Sequence, residues 1–413
     1  MRLRKTITTI VATAILLAGW QLFAVIANQP ELIPSLPRLV RTLCEWLVSG
    51  SFYQSVGATI LRGVLGMSIS FVCAIGMAGL FARFEWVYEL FRPLLAIMRS
   101  IPVISFILLA LIFLNPESIP LMIAFLTMFP LLTENLTRGI LDLRPGLSIM
   151  ARQFHIRRSN VLFQIIYPQL KPFLYSGLAS AAGFGWRAII MGEVLSQCAF
   201  GIGSEMKRAQ NFISVPELLA WTIVAVFISF FFDKGISKVA DITPKISFAN
   251  EDQTIPTPTL SVLDTKDISY QYGIQHFSHS FQKGIIYGIS APSGKGKTTL
   301  LNLIGGILLP TEGEIHPTRH FGIATIFQQP QLLPYLTAEE NIILPLSSFL
   351  TEEKARRIAQ KHLQEMEMEP FGNRYPKELS YGQQQRIAIA RALAYPSPLL
   401  LMDEPFKGLD EAL

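Results

Sequence analysis

Length, composition and charge restrict the classes to which this chain can belong. It has 413 residues, of which 50% are hydrophobic and only 16% are charged, and its formal net charge is +5. Soluble globular proteins carry about 25% charged residues, so the composition favours a membrane protein. The apolar residues concentrate before residue 240, whereas the rest has the composition of a soluble domain. Length and this contrast together predict two or three domains.

The basic residues and the cysteines exclude several other classes. The basic residues lie in short loops between apolar runs, as the positive-inside rule predicts for a membrane protein, so we expect no nucleic-acid partner. Cys44, Cys73 and Cys198 are far apart and lack metal-ligand spacing. They therefore support neither a disulfide framework nor a zinc site.

The first apolar run begins close to the N-terminus. Arg2, Arg4 and Lys5 precede the run 6–27, which is long enough to span the hydrocarbon core of a bilayer. The apolar region of a secretory signal peptide is shorter, and no small-x-small cleavage site follows this run. We therefore predict a retained first transmembrane helix.

Later apolar runs bring the predicted number of transmembrane helices to six. They cover residues 57–82, 94–114, 118–134, 174–196 and 216–236. Basic residues are concentrated before the first run, in the loop 135–173 and after the last run. The positive-inside rule therefore predicts a multi-pass protein of the cell inner (plasma) membrane, in contact with membrane lipids, with both termini in the cytoplasm.

The loop 135–173 is long, basic and partly amphipathic. One interpretation is a solvated basic loop that contacts lipid headgroups. The other is a helix that docks on a cytoplasmic motor domain, which is the interpretation that we favour.

A change of composition marks the boundary between the two parts of the chain. Residues 241–262 are rich in proline and small polar residues without periodicity, which predicts a linker. After it, short β-like runs alternate with helical patterns, which predicts an α/β domain with a largely parallel sheet. The predicted domains are thus a transmembrane domain at 1–240 and an α/β domain at 263–413.

A glycine-rich segment provides the strongest motif of the second domain. Residues 291–299 read Ala-Pro-Ser-Gly-Lys-Gly-Lys-Thr-Thr, after a predicted strand at 285–289 and before a predicted helix. This context is typical of a phosphate-binding loop. The predicted fold class is therefore an all-α polytopic membrane domain of six transmembrane helices followed by an α/β P-loop NTPase domain.

Residue types within this loop fit the chemistry of ATP and Mg²⁺. Gly294 and Gly296 let backbone N–H groups wrap a phosphate, Lys297 adds a positive charge, and the Thr298 hydroxyl would hold Mg²⁺. Alanine replaces the first glycine at position 291, which costs about 1 kcal/mol if that position needs a positive φ. The predicted ATP contacts of the loop are Ser293, Gly294, Lys295, Gly296, Lys297, Thr298 and Thr299.

Two acidic residues follow an apolar run near the end of the chain. The run 399–402 predicts a buried strand that ends at Asp403, and Glu404 comes next. Asp403 is a predicted Mg²⁺ ligand, and Glu404 is the predicted general base that polarises the attacking water. Together with Lys297, these residues predict ATP hydrolysis.

A third motif lies in the segment 379–386, which reads Leu-Ser-Tyr-Gly-Gln-Gln-Gln-Arg. It resembles the signature of the ATP-binding cassette (ABC) family, which begins Leu-Ser-Gly-Gly-Gln. Ser380 stands where a helix N-cap would be, and with Gly382 and Gln383 it is predicted to contact an ATP held by a second cassette. Tyr381 replaces the first glycine of the family. The alternative is a capped helix without a ligand.

Two weaker matches complete the resemblance of the second domain. The segment 326–328 resembles the family's glutamine loop, which implies that Gln328 contacts Mg²⁺ or water and takes part in catalysis. Tyr272 matches the aromatic residue that stacks on adenine, although a core tyrosine is the alternative. The segment 331–341 resembles cassettes of nitrate, sulfonate and taurine importers.

The membrane half resembles the permeases of the same importers. Their cytoplasmic loop carries an alanine-rich motif, then a glycine, then a proline, and the segments 150–155 and 166–168 have matching spacing. His155 stands where the family has the glycine. The segments 99–102 and 192–193 also fit the resemblance.

Two ionisable residues interrupt the fifth apolar run. Arg187 and Glu193 are six positions apart and do not share a helix face, so they are not a local ion pair. Ionisable residues inside a membrane are costly and indicate function. Glu193 either lines a transport pathway or packs against a neighbouring helix, and both interpretations stay open here.

The resemblance implies an ATP-driven importer of a small solute, with permease and ATPase in one chain. It also implies a homodimer that holds two ATP molecules with Mg²⁺, an extracytoplasmic substrate-binding protein, and a small anion such as a sulfonate or nitrate as the solute. The family's switch histidine would follow Glu404 by some tens of residues, so we expect a cassette that is incomplete at its C-terminus and hydrolysis by the complete protein. A membrane-anchored nucleotide-binding regulator and an ABC exporter are the alternatives.

Overall fold

The computed structural model describes residues 2–240, 244–253, 262–271, 273–292, 294–316 and 323–406. The chain forms two compact units. The first unit comprises Met1–Asp142 and Leu170–Ile242, and the second comprises Leu143–Gln169 and Thr243–Leu413. The composition of the sequence predicted that residues 1–240 form one transmembrane domain. Residues 143–169, the docking segment, instead belong to the second unit because their apolar side chains share its core.

Helices account for the regular structure of residues 2–240. In chain order they are α1 (Arg2–Ala27), α2 (Leu36–Trp46), α3 (Gly50–Arg83), α4 (Glu85–Ser100), α5 (Val103–Phe113), α6 (Ile119–Leu141), α7 (Pro145–Gln153), α8 (Arg158–Ser196), α9 (Ile202–Asn211) and α10 (Val215–Ala240). A π-helical turn at Val161–Ile166 interrupts the α-helical hydrogen bonding of α8. The predicted loop 135–173 is therefore mostly helical, with short connections on either side of α7.

Four helices of the described residues are long and apolar enough to cross a membrane, namely α3, α6, α8 and α10. Helices α4 and α5 pass the same test only as a pair, with a bend of 95° between them. The predicted span 94–114 is thus broken, because Pro102 lacks an N–H group and restricts the backbone of Ile101. Within α1, the described apolar part is the shorter Val11–Ala27. Six spans are therefore not reproduced.

Small residues let α3 and α6 pack closely in the first unit. Gly66 of α3 faces Ala124 of α6, where a Cβ atom on the glycine would lie 2.6 Å from the alanine Cβ. A residue larger than glycine would push the two helices apart. Such contacts between small residues are typical of helix packing in membranes, where no hydrophobic effect draws helices together.

Glu193 is fully buried and is held by neighbours from other elements of the first unit. Its carboxylate accepts hydrogen bonds from Arg62 Nη1 (2.7 Å), Thr59 Oγ1 (2.9 Å) and the backbone N–H of Gly203 (2.9 Å). Arg62 also pairs with Glu117 at 2.6 Å. Of the two interpretations of Glu193, the structure therefore agrees with the one in which this residue packs against a neighbouring helix.

The second unit contains two small sheets. One is antiparallel with the order β2–β1–β3 and comprises β1 (Val262–Tyr270), β2 (Ile274–Gln282) and β3 (Glu312–His316). The other is the parallel pair β4 (Ala324–Ile326) and β5 (Leu400–Met402). The prediction of a largely parallel sheet is wrong for the described residues, since three of these five strands pair in antiparallel fashion.

The apolar run 285–289 is not a strand, contrary to the prediction. Its residues have no regular secondary structure, and the Ile286 side chain is 98% exposed. An apolar run becomes a strand only where a neighbouring strand supplies hydrogen-bond partners. Among the described residues, neither sheet extends to this run.

Helices of the second unit pack into three apolar clusters together with the docking segment and the sheets. They are α7, α11 (Lys297–Ile304), α12 (Ala338–Leu346), α13 (Glu352–Glu365) and α14 (Tyr381–Ala394), with 3₁₀ turns at Glu369–Phe371 and Pro376–Glu378. One cluster joins α12, α13 and α14. The second joins the docking segment to β4, to the segment before α12 and to the end of α14. The third joins α11 to β1 and β5.

The predicted linker 241–262 is fixed over part of its length. The N–H groups of Ala249 and Gln253 donate to the carbonyls of Ser347 and Phe349 at 3.0 and 2.8 Å. Asp252 accepts from the backbone N–H of Thr351 at 2.9 Å, which lowers the pKa of its carboxyl group. Residues 244–253 are therefore docked on the second unit, while 241–243 and 254–261 lie outside the described residues.

Candidate functional site

The predicted phosphate-binding motif 291–299 continues into α11, which begins at Lys297. Gly294 and Gly296 have φ angles of 79° and 84°, a conformation that residues with a side chain adopt only with strain. Ala291 is not among the residues with positive φ, so the predicted cost of alanine at this position does not arise. The loop therefore has glycine at the two positions where its backbone needs it.

Lys297 folds back over the loop. Its Nζ atom donates to the carbonyls of Ala291 (2.7 Å) and Pro292 (3.2 Å). Lys295 is exposed, and Thr299 is half-buried in the first turn of α11. Ser293 and Tyr272, two further predicted ATP contacts, lie outside the described residues.

The two predicted Mg²⁺ ligands from the loop and the acidic motif lie together. Thr298 Oγ1 donates to Asp403 Oδ2 at 2.9 Å. Asp403 directly follows β5, and its backbone N–H donates to the carbonyl of Ile326 at the end of β4. A hydroxyl and a carboxylate at one point are oxygen ligands of the kind that Mg²⁺ prefers, so these residues fit the ion.

Gln328 and Glu404 form a second contact between predicted catalytic residues. Gln328 Nε2 donates to Glu404 Oε2 at 3.1 Å. Glu404 has a φ angle of 48°, which is an uncommon conformation for a residue with a side chain. The ends of the parallel strands β4 and β5 thus bring together three of the predicted residues, Gln328, Asp403 and Glu404.

Ser380 is the N-cap of α14, as the sequence predicted. Its hydroxyl accepts from the backbone N–H of Gln383 at 3.3 Å, and the Gln383 side chain accepts from the N–H of Ser380 at 2.9 Å. This reciprocal capping box satisfies two N–H groups that the first turn of a helix leaves free. Gly382 lies half-buried in the same turn.

The docking segment contributes an apolar face to the core that lies beside these residues. Leu147, Met150, Phe154 and Ile165 are buried in one cluster with β4 and the end of α14. The Phe154 ring meets the Tyr395 ring edge-on, with 5.2 Å between their centroids. The apolar side chains of α7 therefore form part of a packed core instead of facing lipid headgroups.

Polar contacts fix the docking segment to the end of the phosphate-loop helix and to the linker. Gln153 Nε2 donates to the carbonyl of Gly305, immediately after α11, at 2.8 Å. Asn160 Nδ2 donates to the carbonyl of Ser247 and to Ser347 Oγ, both at 2.8 Å. Buried groups that are paired in this way define one orientation of the segment.

Comparison with known proteins identifies both parts of the chain. The family model "ABC transporter" matches residues 274–407, and "Binding-protein-dependent transport system inner membrane component" matches residues 67–233. The uncharacterized ABC transporter ATP-binding protein MJ0796 of Methanocaldococcus jannaschii is 40% identical over 159 residues, which are 34% of this chain and 68% of that protein. The chain belongs to the ABC transporter family.

Other relatives of this ABC transporter match the same cassette. The thiamine import ATP-binding protein ThiQ of Yersinia pseudotuberculosis is 38% identical over 37% of this chain and 70% of that protein. The spermidine/putrescine import ATP-binding protein PotA of Nitrosomonas europaea is 35% identical over 37% of this chain. The match covers only 46% of the length of PotA.

These comparisons confirm the broader predictions from the sequence. The chain combines a helical permease domain with an ABC ATPase domain, and that domain couples ATP hydrolysis to transport in this family. The narrower assignment to the nitrate, sulfonate and taurine importers is not confirmed.

Tyr381 makes a contact that the sequence did not predict. Its hydroxyl donates to the backbone carbonyl of Gln328 at 2.9 Å. The only signal in the sequence was the replacement of a family glycine by a residue with a hydrogen-bonding side chain. In this ABC transporter the signature and the glutamine loop of one cassette are therefore directly connected.

Arg391 is a second residue that the sequence interpretation missed. It is 1% exposed, and its Nη1 and Nη2 atoms donate to the carbonyls of Gln331 (2.8 Å) and Pro330 (2.9 Å). Its guanidinium lies 5.4 Å from the centroid of the Phe154 ring. Burial lowers the pKa of Arg391 to about 9, so the group stays charged at neutral pH. A charged residue on the buried face of an amphipathic helix was the available signal.

His155 has a φ angle of 46°, which is the left-handed conformation that favours glycine. It lies in the turn between α7 and α8, where its N–H donates to the carbonyl of Arg152. The permease family has glycine at the matching position, and the conformation of this turn provides the physical reason.

Proposed function

We propose that this chain is an ATP-driven importer of a small solute across the cell inner membrane, with permease and ATPase in one polypeptide. The docking segment carries this proposal. It comes from the permease part of the sequence, yet its apolar face is buried in the core of the cassette unit. A protein that used its membrane helices only as an anchor would not need such a segment.

The same contact supports the proposed orientation. Because residues 143–169 share a core with the cassette, the segment and the cassette lie on one side of the membrane. The ABC ATPase uses cytoplasmic ATP, so this side is the cytoplasm, in agreement with the basic residues of the segment. We therefore propose that both termini are cytoplasmic.

Each residue of the candidate site has a proposed role. Lys297 and the backbone of residues 293–299 hold the phosphates of ATP, and Thr298 and Asp403 hold Mg²⁺, which neutralises charge on the phosphates. Gln328 contacts the ion or the attacking water. Glu404 accepts a proton from that water and so increases its nucleophilicity.

The proposed active form is a homodimer. The signature helix α14 presents Ser380 at its N-terminus, where backbone N–H groups and the helix dipole favour a phosphate. This N-terminus binds the ATP of the twin cassette, so that two ATP molecules lie between two chains. ATP binding closes the cassettes, the docking segment transmits the movement to the permease, and hydrolysis resets it.

The proposed partner on the outer side is a substrate-binding protein, as the permease family description indicates for its members. The proposed solute is a small anion such as a sulfonate or nitrate, which rests on the likeness of the permease motifs and of the cassette segment 331–341 to those importers. Relatives of the cassette are named for thiamine and for spermidine and putrescine, so the cassette itself does not select the solute.

Uptake into proteoliposomes tests the proposal. The complete protein is reconstituted with candidate binding proteins, ATP is supplied on the cassette side, and the uptake of labelled taurine, nitrate, thiamine and spermidine is measured. We expect ATP-dependent uptake of an anion and no uptake by Glu404→Gln. Hydrolysis without uptake of any solute, under all combinations, would favour a regulatory protein, and ATP-driven outward transport would favour an exporter.

A further inference from the structure

The Tyr381 side chain connects the glutamine loop of the cassette to its signature helix, α14. In the proposed dimer these two parts contact different ATP molecules. Its hydroxyl donates to the carbonyl of Gln328 at 2.9 Å, and it is 43% exposed. Glycine, the family residue at this position, has no side chain that could make this bond. The contact is therefore a property of this chain and not of the family signature.

Gln328 lies at the ATP site of its own cassette. Its side chain donates to Glu404, and the adjacent Asp403 accepts a hydrogen bond from Thr298 in the phosphate-loop helix. A nucleotide that binds to Lys297 and Thr298 therefore changes the surroundings of Gln328 directly. The Tyr381 bond joins that change to the first turn of α14.

Ser380 lies at the other end of the connection. It precedes Tyr381 and caps α14, so its orientation depends on how this turn is held. Three further hydrogen bonds tie α14 to the same region, because Arg391 donates to the carbonyls of Pro330 and Gln331 and Gln385 Nε2 donates to Pro405 O at 3.1 Å. Held together by these bonds, helix α14 and the glutamine loop form one connected body. Among the bonds, the one made by Tyr381 lies closest to Ser380 along the chain.

We propose that Tyr381 is a positioning residue that couples the two ATP sites of the dimer. ATP bound to one cassette restricts the motion of Gln328. Through the hydrogen bond of the Tyr381 hydroxyl, this restriction extends to Ser380, so Ser380 binds the second ATP with a smaller loss of conformational entropy. The result is positive cooperativity between the sites. This inference rests on the proposed homodimer with shared nucleotides.

The expected size of the effect follows from a single hydrogen bond. A net contribution of the usual size for one such bond changes an affinity about twofold to tenfold, which is the factor by which the first nucleotide would strengthen binding of the second. Tyr381→Phe keeps the ring and removes only this bond. Tyr335→Phe is the matched control, because Tyr335 is similarly exposed at 40% and lies outside the connected body.

The test is a binding titration of a non-hydrolysable ATP analogue with Mg²⁺ to the whole protein in lipid nanodiscs. We expect a Hill coefficient above one for the wild type and for Tyr335→Phe. For Tyr381→Phe and Tyr381→Gly we expect a value near one, with the affinity for the second nucleotide reduced about twofold to tenfold and a melting temperature lowered by no more than about 4 °C for Tyr381→Phe.

The outcomes separate the inference from the proposed function. If the wild type and Tyr381→Phe show the same Hill coefficient, whether above one or equal to one, Tyr381 does not couple the sites and the inference is overturned. If the wild type binds no nucleotide, the proposed function fails first. A loss of cooperativity in both phenylalanine variants would also count against the inference.

Discussion

At the scale of single residues, His155 is the clearest case of a side chain in a backbone conformation that suits glycine. Its φ angle of 46° lies in the left-handed region, where a Cβ atom approaches the following carbonyl oxygen. The imidazole is exposed, so it contributes little to the core. The strain therefore has no evident compensation from packing.

Replacing this residue by glycine should stabilise the cassette unit. Relief of the strain is worth about 1 kcal/mol, which corresponds to a melting temperature raised by about 2–4 °C for His155→Gly. The measurement is thermal unfolding of the detergent-solubilised protein at a fixed scan rate. His155→Ala removes the imidazole but keeps Cβ, so it should show no such gain. Equal shifts in both variants would contradict the explanation.

Arg391 is buried and donates hydrogen bonds to two backbone carbonyls. Arg391→Met would leave the carbonyls of Pro330 and Gln331 without this donor, at a cost of about 1–3 kcal/mol for each carbonyl. Lysine lacks the planar fork that reaches both, so Arg391→Lys should also destabilise the protein. The melting temperature is the measurement.

The matched control for Arg391 lies on the same helix. Arg386 makes only weak contacts of 3.5 Å, with Met366 and Glu367, so Arg386→Met should change the free energy of unfolding by less than about 1 kcal/mol. Similar losses for the two methionine variants would show that the pair of carbonyl contacts is not what stabilises this region.

At the scale of elements, two helices begin with the same capping box but have different expected roles. Ser380 caps α14, and Thr337 caps α12 with Glu340 as its reciprocal partner. Removing either cap should cost about 1 kcal/mol of stability. Of these two cap residues, only Ser380 is proposed to contact a phosphate. Comparing the two residues therefore distinguishes an effect on helix capping from an effect on catalysis.

We therefore expect different effects on ATP hydrolysis from two similar substitutions. Ser380→Ala should lower the rate by about 100-fold or more, as removal of one aligned donor to a reacting oxyanion does in other enzymes. Thr337→Ala should leave the rate within about twofold of the wild type, with a similar loss of stability. If both variants lose hydrolysis equally, Ser380 acts only as a helix cap.

The docking segment is an element whose contacts predict a separation of hydrolysis from transport. Gln153 joins it to Gly305 at the end of the phosphate-loop helix. In Gln153→Ala this bond is absent, so the solute transported per ATP hydrolysed should fall about threefold to tenfold while hydrolysis continues. Arg152→Ala, an exposed neighbour, is the control. An unchanged ratio in Gln153→Ala would argue against transmission through this contact.

Local sequence patterns predicted those features whose cause is local. The glycines at 294 and 296, the cap at Ser380 and the strand that ends at Asp403 each depend on a few neighbouring residues. The meeting of Asp403 with Thr298 was predicted as well, because the two motifs assign both residues to the same Mg²⁺ ion.

Features that depend on distant contacts were not predicted. Hydropathy alone treated 94–114 as one span, although Pro102 breaks it, and treated 285–289 as a strand without knowing whether a partner strand is present. Composition indicated a free linker, whereas its part 244–253 pairs with residues about a hundred positions later. The partner of Glu193, Arg62, lies on a different helix and could not be found by local spacing.

At the scale of the whole molecule, the fused chain fixes the pairing of permease and ATPase. The segment 143–169 and the cassette share one apolar core, and the hydrogen bond from Gln153 to Gly305 joins the segment to the end of the phosphate-loop helix. We propose that movement of the phosphate-loop helix is transmitted through this segment, which requires the segment to have two arrangements, one with and one without nucleotide. In the proposed mechanism, nucleotide binding at Lys297 and Thr298 is the event on which all later steps depend.

The most direct test measures Mg²⁺-ATP binding and ATP hydrolysis by the protein in lipid nanodiscs, for the wild type and for Glu404→Gln. The account predicts that both bind the nucleotide, that the wild type hydrolyses it, and that the variant hydrolyses it at least about 100-fold more slowly because the proposed general base is lost. A wild type that binds no nucleotide, or equal hydrolysis by both proteins, would contradict the account.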